Sequence, residues 1–334
     1  MRHFSLRISC LLMAVLIAFS VTSCSGNTQS DSASAGPQQL KIAMLMDGQA
    51  NDGGWNQSAY DALMKIRDEL GAEVAFTEDV KQNDQVSLMR EYVNAGYNVI
   101  IGHGYTYVDS LTQVSQEFPE VTFLGVVTDV AGGNLNSVLF KYGELGYLVG
   151  IVAARCTQSK VVGYISAIDN PNIQREVVNI KAKVKELDPT IEVKEAYTGS
   201  FSDINKAYEA AIAMIDGGAD ILITSCDAGS LGVFQAAEER GVKTIGWVSD
   251  QTALSPDTIL TCGITSVEDL LYATIEKLQE EGKLDGSIIT LGIADGVQYI
   301  GPFSEFVPQE VQDEVLAAQE DIRTGKISVL DIEE

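Results

Sequence analysis

Residues 51 to 56 read Asn-Asp-Gly-Gly-Trp-Asn, which brings an amide, a carboxylate and an indole together in one short stretch. An indole offers a flat apolar face for stacking, and a carboxylate beside it accepts hydrogen bonds from N–H or O–H groups. Such a set suits a flat ring with a polar edge. The chain holds only two tryptophans, and the paired glycines before Trp55 let the backbone turn sharply. Trp55 either stacks on a ligand or packs into the core near a helix start, and for a lone tryptophan packing is the commoner fate. Asn51 and Asp52 share its loop, and Asn56 is the expected N-cap of the helix that follows.

Other groups admit two readings each. Gly104 and Tyr105 follow His103 in a small-residue loop where the backbone can approach a ligand, although a single loop histidine is usually structural. Asp227, Ala228 and Gly229 precede a helical pattern, so their N–H groups can meet a polar ligand atom. Trp247 ends a strand as a second stacking platform or as packing, and Asp250 accepts a ligand N–H or caps its own loop. Arg175 reaches a ligand carbonyl or stays a solvated charge on a helix. Enzymatic chemistry finds little support. No G-x-x-x-x-G-K-[ST], G-x-G-x-x-G or G-x-S-x-G motif occurs. Beyond the expected leader His103 is the one histidine, which leaves a metal site short of ligands. Neither a cofactor nor a metal is expected.

The elements that must position these groups alternate. Leu40 to Met46, Val74 to Thr77, Val99 to Gly102 and Thr122 to Val127 read as strands; Ala59, Leu63, Ile66 and Leu70 fall on one helix face. Further helices fit Asp84 to Asn94 and Asp109 to Phe118. The same grammar restarts at Lys160 to Ser166 and runs to Trp247, and strands separated by helices make a parallel sheet. The stretch from Ala95 through Val126 shares its order of glycine, strand, small loop, helix and strand with Gly217 through Trp247. If that repetition is real, the α/β chain builds two lobes of one design with a cleft between them, and ligands sit beyond the carboxyl ends of the strands. The expected division is 40–155 with about 264–284 for the first lobe, 156–263 with about 285–307 for the second, and 308–334 as a C-terminal helix and tail.

A net charge of −25 argues against nucleic acid or an anionic membrane surface as a partner. Cys156, Cys226 and Cys262 are widely spaced and allow at most one disulfide. Arg2, His3 and Arg7 precede the apolar run Ile8 to Phe19, too short to span a bilayer comfortably, and Val21-Thr22-Ser23-Cys24 follows. This end resembles a lipoprotein signal: residues 1–23 would be removed, Cys24 lipidated, and the Ser- and Gln-rich stretch 24–39 would serve as a tether.

The spacing D-G-x-x-N-D-x-x-W-N-Q-S-A-Y from Asp47 to Tyr60 resembles the opening of the basic membrane protein family, also called PnrA-like or Med, of substrate-binding lipoproteins for ABC importers. The likeness continues through Phe118 to Phe123, Gly146 to Gly150 with Ala153 and Ala154, Val162 to Ile165, Ala228 and Gly229 with Gly232 and Val233, Asp250 with Gln251, and Gly301 to Phe303. It implies a two-lobe type I periplasmic-binding-protein fold that closes on a purine nucleoside or related purine, with the aromatic at Trp55 stacking on the base. Asp129 falls near the family's base-reading aspartate, and Asp250 leans toward a ligand contact in that context. Where nucleoside-binding relatives place a second stacking phenylalanine, and an aspartate and lysine on the ribose, this chain has Glu176, Val248 and Thr265. Those departures weaken a ribose contact and favour a free purine base.

The expectation is therefore an exported, lipid-anchored monomer on the outer face of the membrane, which is not an enzyme and presents a small planar ligand to an ABC permease. The alternatives are a nucleoside or sugar binder, or a surface sensor that signals from the closed form.

Overall fold

The computed structural model describes residues 39–52 and 54–330. The expected signal 1–23, Cys24 and the tether as far as residue 38 lie outside the described residues.

β1 (Lys41–Met46) enters as KIAMLM with five of its residues buried, the near-continuous apolar run of a strand covered on both faces. There follow α1 (Trp55–Leu70), β2 (Glu73–Thr77), α2 (Gln85–Asn94), β3 (Val99–His103), α3 (Val108–Glu117), β4 (Thr122–Val126) and β5 (Leu135–Phe140). The second run is α4 (Glu144–Cys156), β6 (Val161–Ser166), α5 (Pro171–Leu187), β7 (Glu192–Tyr197), α6 (Ile204–Asp216), β8 (Ile221–Ser225), α7 (Ser230–Arg240), β9 (Lys243–Val248) and β10 (Ile259–Thr265). The chain closes with α8 (Val267–Glu281), β11 (Ile288–Leu291), β12 (Gln298–Ile300) and α9 (Gln309–Arg323).

Two six-stranded sheets result, ordered β11-β5-β4-β3-β1-β2 and β12-β10-β9-β8-β6-β7. Strand for strand the orders are the same. The repeated stretches of sequence become β3-α3-β4 and β8-α7-β9, which occupy matching places. Pairing is parallel except between β10 and β12. Local signals start the second lobe's helices: Asn170 Oδ1 accepts Ile173 N–H at 2.9 Å with Pro171 at the first helical position, and Asp203 accepts Lys206 N–H at 3.1 Å.

The chain changes sheets three times, and two of the changes fall elsewhere than expected. α4 packs in the second lobe with Tyr164, Ile180, Ile245 and Trp247, so the first change comes at Lys141 to Gly143 and not near residue 155. The reason is steric. Cβ atoms at Gly146 and Gly150 would lie 2.4 Å from Glu176 O and 3.1 Å from Ile180 O, so small residues let α4 and α5 pack at close range. Residues 288–291 pair as β11 with β5 and stay with the first sheet, rather than joining the second. α8 packs on α1 with the first lobe.

The crossings are bonded to one another. Buried Glu144 accepts Ile293 N–H at 2.8 Å through Oε2 and pairs with Lys141 Nζ at 2.8 Å through Oε1. Ser266 N–H donates to Val297 O at 2.8 Å.

Candidate functional site

Asp52 and Trp55 occupy the loop between β1 and α1, at the carboxyl end of the first sheet. The Asp52 carboxylate accepts the N–H groups of Gly54 at 2.8 Å, Asn56 at 3.0 Å and Gln57 at 3.0 Å, and Asn56 Nδ2 at 2.9 Å. It therefore caps α1, the role expected of Asn56. Burial alone would raise its pKa, but these hydrogen bonds outweigh it and hold the carboxyl low. Asn56 sits inside the helix, 7% exposed, with Gly48 beneath it, where a Cβ would come within 2.5 Å of Asn56 Nδ2. Asn51 is exposed beside Asp52.

Trp55 opens α1 half-buried. Its indole lies on the His103 imidazole with ring centroids 4.5 Å apart and planes 20° from parallel, and His103 Nε2 stands 3.2 Å from the Trp55 carbonyl. His103, the last residue of β3, is fully buried, and desolvation pushes its pKa down to about 4. The ring is neutral near pH 7. The histidine is thus the backing of Trp55. Asp47, unassigned from sequence, lies just after β1; burial raises its carboxyl's pKa, and Thr106 hydrogen bonds to it. The only sequence signal for either residue was its place just past, or at the end of, a strand.

Of the remaining first-lobe candidates Gly104 is buried, whereas Tyr105 and Asp129 lie at the surface. Gly104 adopts a left-handed φ of 123° that admits the turn, and Tyr105, 62% exposed, begins the single turn Tyr105–Tyr107. Asp129 is exposed beyond β4.

In the second lobe Asp227 begins the matching turn after β8, with φ at 46°. Burial raises its pKa to about 6, and the negative Asp52 of the first lobe adds to the shift. Asp52 and Asp227, each just past the carboxyl end of a strand in its own lobe, thus lie within range of each other's charge. Ala228 is exposed, but the Gly229 N–H is taken by Phe201 O at 2.9 Å and Cys226 O at 2.8 Å, which corrects its expected use as a ligand donor. Trp247, 7% exposed, packs in the second core and has little surface to offer a ligand. Asp250 Oδ1 accepts Thr252 N–H at 3.0 Å and Thr252 Oγ1–H at 2.6 Å, so it caps its loop. Arg175 Nη1 donates to Asn172 Oδ1 at 3.2 Å on the first turns of α5.

The residues marking departures differ among themselves. Glu176 is buried and accepts Gly146 N–H at 2.6 Å, so it braces α4 instead of lining a ligand. Val248 has a φ of 75° under a Ser249 N–H to Trp247 O bond of 3.0 Å, a tight γ-turn rarely adopted by a β-branched residue. Thr265, 8% exposed, ends β10 opposite Gln298. Cys156, Cys226 and Cys262 are free thiols. Among the described residues no group of His, Cys, Asp and Glu could hold a metal, and no helix is long and apolar enough to cross a membrane.

The family described as ABC transporter substrate-binding protein PnrA-like matches residues 39–333. Basic membrane protein B of Borreliella afzelii is 30% identical, over 90% of this chain and 90% of its own. A purine-binding protein of Brucella abortus is 26% identical over 87% and 83%. The crystal structure of a transcriptional activator of the comK gene from Bacillus halodurans superimposes with a TM-score of 0.77 and 30% identity, covering 85% of this chain and 98% of that one. Solved structures of transporter and sugar-binding proteins share the two-lobe type I periplasmic-binding fold.

Proposed function

Because the chain belongs to the PnrA-like family of ABC transporter substrate-binding proteins, we propose that it binds a purine, most simply a free nucleobase, between its lobes and hands it to an importer. The observation that carries this reading is the Trp55 indole held on the neutral, buried His103 at the edge where the lobes face each other. One face of the indole is braced, and the residue keeps partial exposure for a flat ring. Asp47, exposed, and Asp227, half-buried, add carboxylates that accept N–H donors from a ring edge. In this reading the exposed Asn51, Tyr105, Ala228 and Asp129 also meet the ligand, as does Arg175 from the first turns of α5.

The relative from Brucella abortus, named for purine binding, supports the ligand class. In this reading the protein is a binder without turnover, exported, tied to the outer face of the membrane through lipid on Cys24, and monomeric. Closure about the three crossings buries the ligand, and the permease distinguishes closed from open. The similarity to a transcriptional activator favours a second reading, in which the closed form signals to a partner.

Mass spectrometry of small molecules released by denaturing the chain, made without its signal and Cys24, tests the ligand. A released purine base supports the reading, and a non-aromatic metabolite overturns it. Gene deletion then separates the roles: lost uptake marks transport, while unchanged uptake with altered expression marks signalling.

A further inference from the structure

We propose that Asp227 selects the ligand by accepting two adjacent N–H donors, an exocyclic amino group beside a ring N–H, the edge that guanine presents and hypoxanthine lacks in part. This rests on the purine reading and deepens it by naming the ring edge that Asp227 reads.

Four observations converge. Asp227 sits at a φ of 46°, in the left-handed region that aspartate enters more readily than most residues, at the start of the turn after β8. Among the described residues no hydrogen bond reaches its carboxylate, whereas the loop aspartates Asp52, Asp203, Asp220 and Asp250 all bond to backbone N–H groups. Those four hold structure, and Asp227 does not. Asp227 is also half-buried, and burial raises its carboxyl to about 6. Finally, the matching position in the first lobe is Tyr105, which is mostly exposed, so the acid is particular to one side.

The charges around it favour a donor-rich ligand over an anion. Asp52 faces Asp227 from the first lobe, and the Cys226 thiol beside it is kept un-ionised by burial. On α6, which packs against its turn, Asp203 and Lys206 form a pair at 3.7 Å and so largely offset one another. A phosphate-bearing purine would meet like charge here; an uncharged base bearing an amino group would not. A carboxylate can accept both donors of that edge side by side, as it does from a guanidinium.

The test is equilibrium dialysis of the chain made without its signal, with labelled guanine and hypoxanthine, from about pH 5 to about pH 7.5. The wild type is expected to prefer guanine by at least about tenfold, because a site built for a donor rejects the analogue lacking it. The preference should grow as pH rises and the carboxyl ionises. Asp227→Asn, which tolerates the left-handed backbone, should bring guanine down to the level of hypoxanthine and flatten the pH dependence. Should it misfold, Asp227→Gly, which suits that backbone best, makes the same comparison. Purine binding with no wild-type preference, or with the preference intact in the variant, overturns the role of Asp227 and leaves the purine reading standing. A wild type that binds neither base overturns both.

Discussion

The indole of Trp55 stacks on the imidazole of His103 at 4.5 Å, and the histidine beneath it is fully buried and uncharged. A ring braced on one side loses little freedom when a ligand takes the other, which lowers the ordering cost of binding. Trp55→Ala should therefore weaken an aromatic ligand by at least about tenfold, the scale of one good stacking contact. Thermal unfolding should show the fold retained. Unchanged affinity would return Trp55 to a packing role.

The same geometry gives an optical signal. With Trp247 packed in the second core, a saturating purine should quench or shift emission from Trp55, and Trp55→Phe should abolish the change. A full response in that variant would assign the signal to Trp247 and count against stacking.

Asp52 carries the first turn of α1 on three backbone N–H bonds. Asp52→Ala should cost about 1–2 kcal/mol, the upper range for a lost cap, and should also lower affinity because Trp55 begins that turn. Urea unfolding reads the first effect and ligand titration the second. A variant of normal stability with impaired binding would instead make Asp52 a ligand contact.

Much of this architecture is visible in sequence because both sheets obey one grammar: short apolar runs such as KIAMLM fit strands covered on two faces, and the repeat at Ala95 and Gly217 maps onto equivalent units. The first crossing was not visible. α4 is apolar nearly all round, so its own pattern does not say which lobe it joins; the closeness of Gly146 to Glu176, far along the chain, decides that. Site residues divide the same way. Trp55 stands out by type, but nothing local says that Asp52 would cap its helix, that Gly229 would spend its N–H on Phe201, or that Trp247 would be covered. Each depends on a partner brought near only by folding.

Two buried groups should shape stability against pH with opposite sign. Glu176 titrates at about 7 because burial disfavours its charge, against 4.5 as its ordinary value. Between those values the unfolded chain has released a proton that the folded chain keeps, so stability falls as pH rises through that window. His103 titrates at about 4 against 6.5, so the unfolded chain binds the extra proton first and stability falls as pH drops from 6.5. Each arm amounts to at most about 3–4 kcal/mol at about 1.4 kcal/mol per pKa unit. Melting curves across pH should show Glu176→Gln gaining stability above neutrality and not near pH 5. A gain of equal size at both ends would deny the titration.

Gly292, on the third crossing, tests whether the crossings act as a hinge. A Cβ there would stand 2.4 Å from Glu144 Oε2 and 2.8 Å from Lys141 Cβ, on the carboxylate that ties the first crossing to the third. Its φ of −143° lies outside the left-handed region that only glycine enters freely. Overpacking of this kind costs about 1–3 kcal/mol, and here it should also displace the bonds that hold Lys141 and Ile293 in register. Ligand dissociation should accelerate. Gly232→Ala is the control: its Cβ would meet Ile204 O at 2.1 Å between α6 and α7, wholly within the second lobe, so it should lower the melting temperature. Its effect on dissociation should be small once stability is matched by temperature. Stopped-flow release measured on both variants separates the outcomes, and equal dissociation rates would mean that the Glu144 tie stabilises the crossings without governing closure.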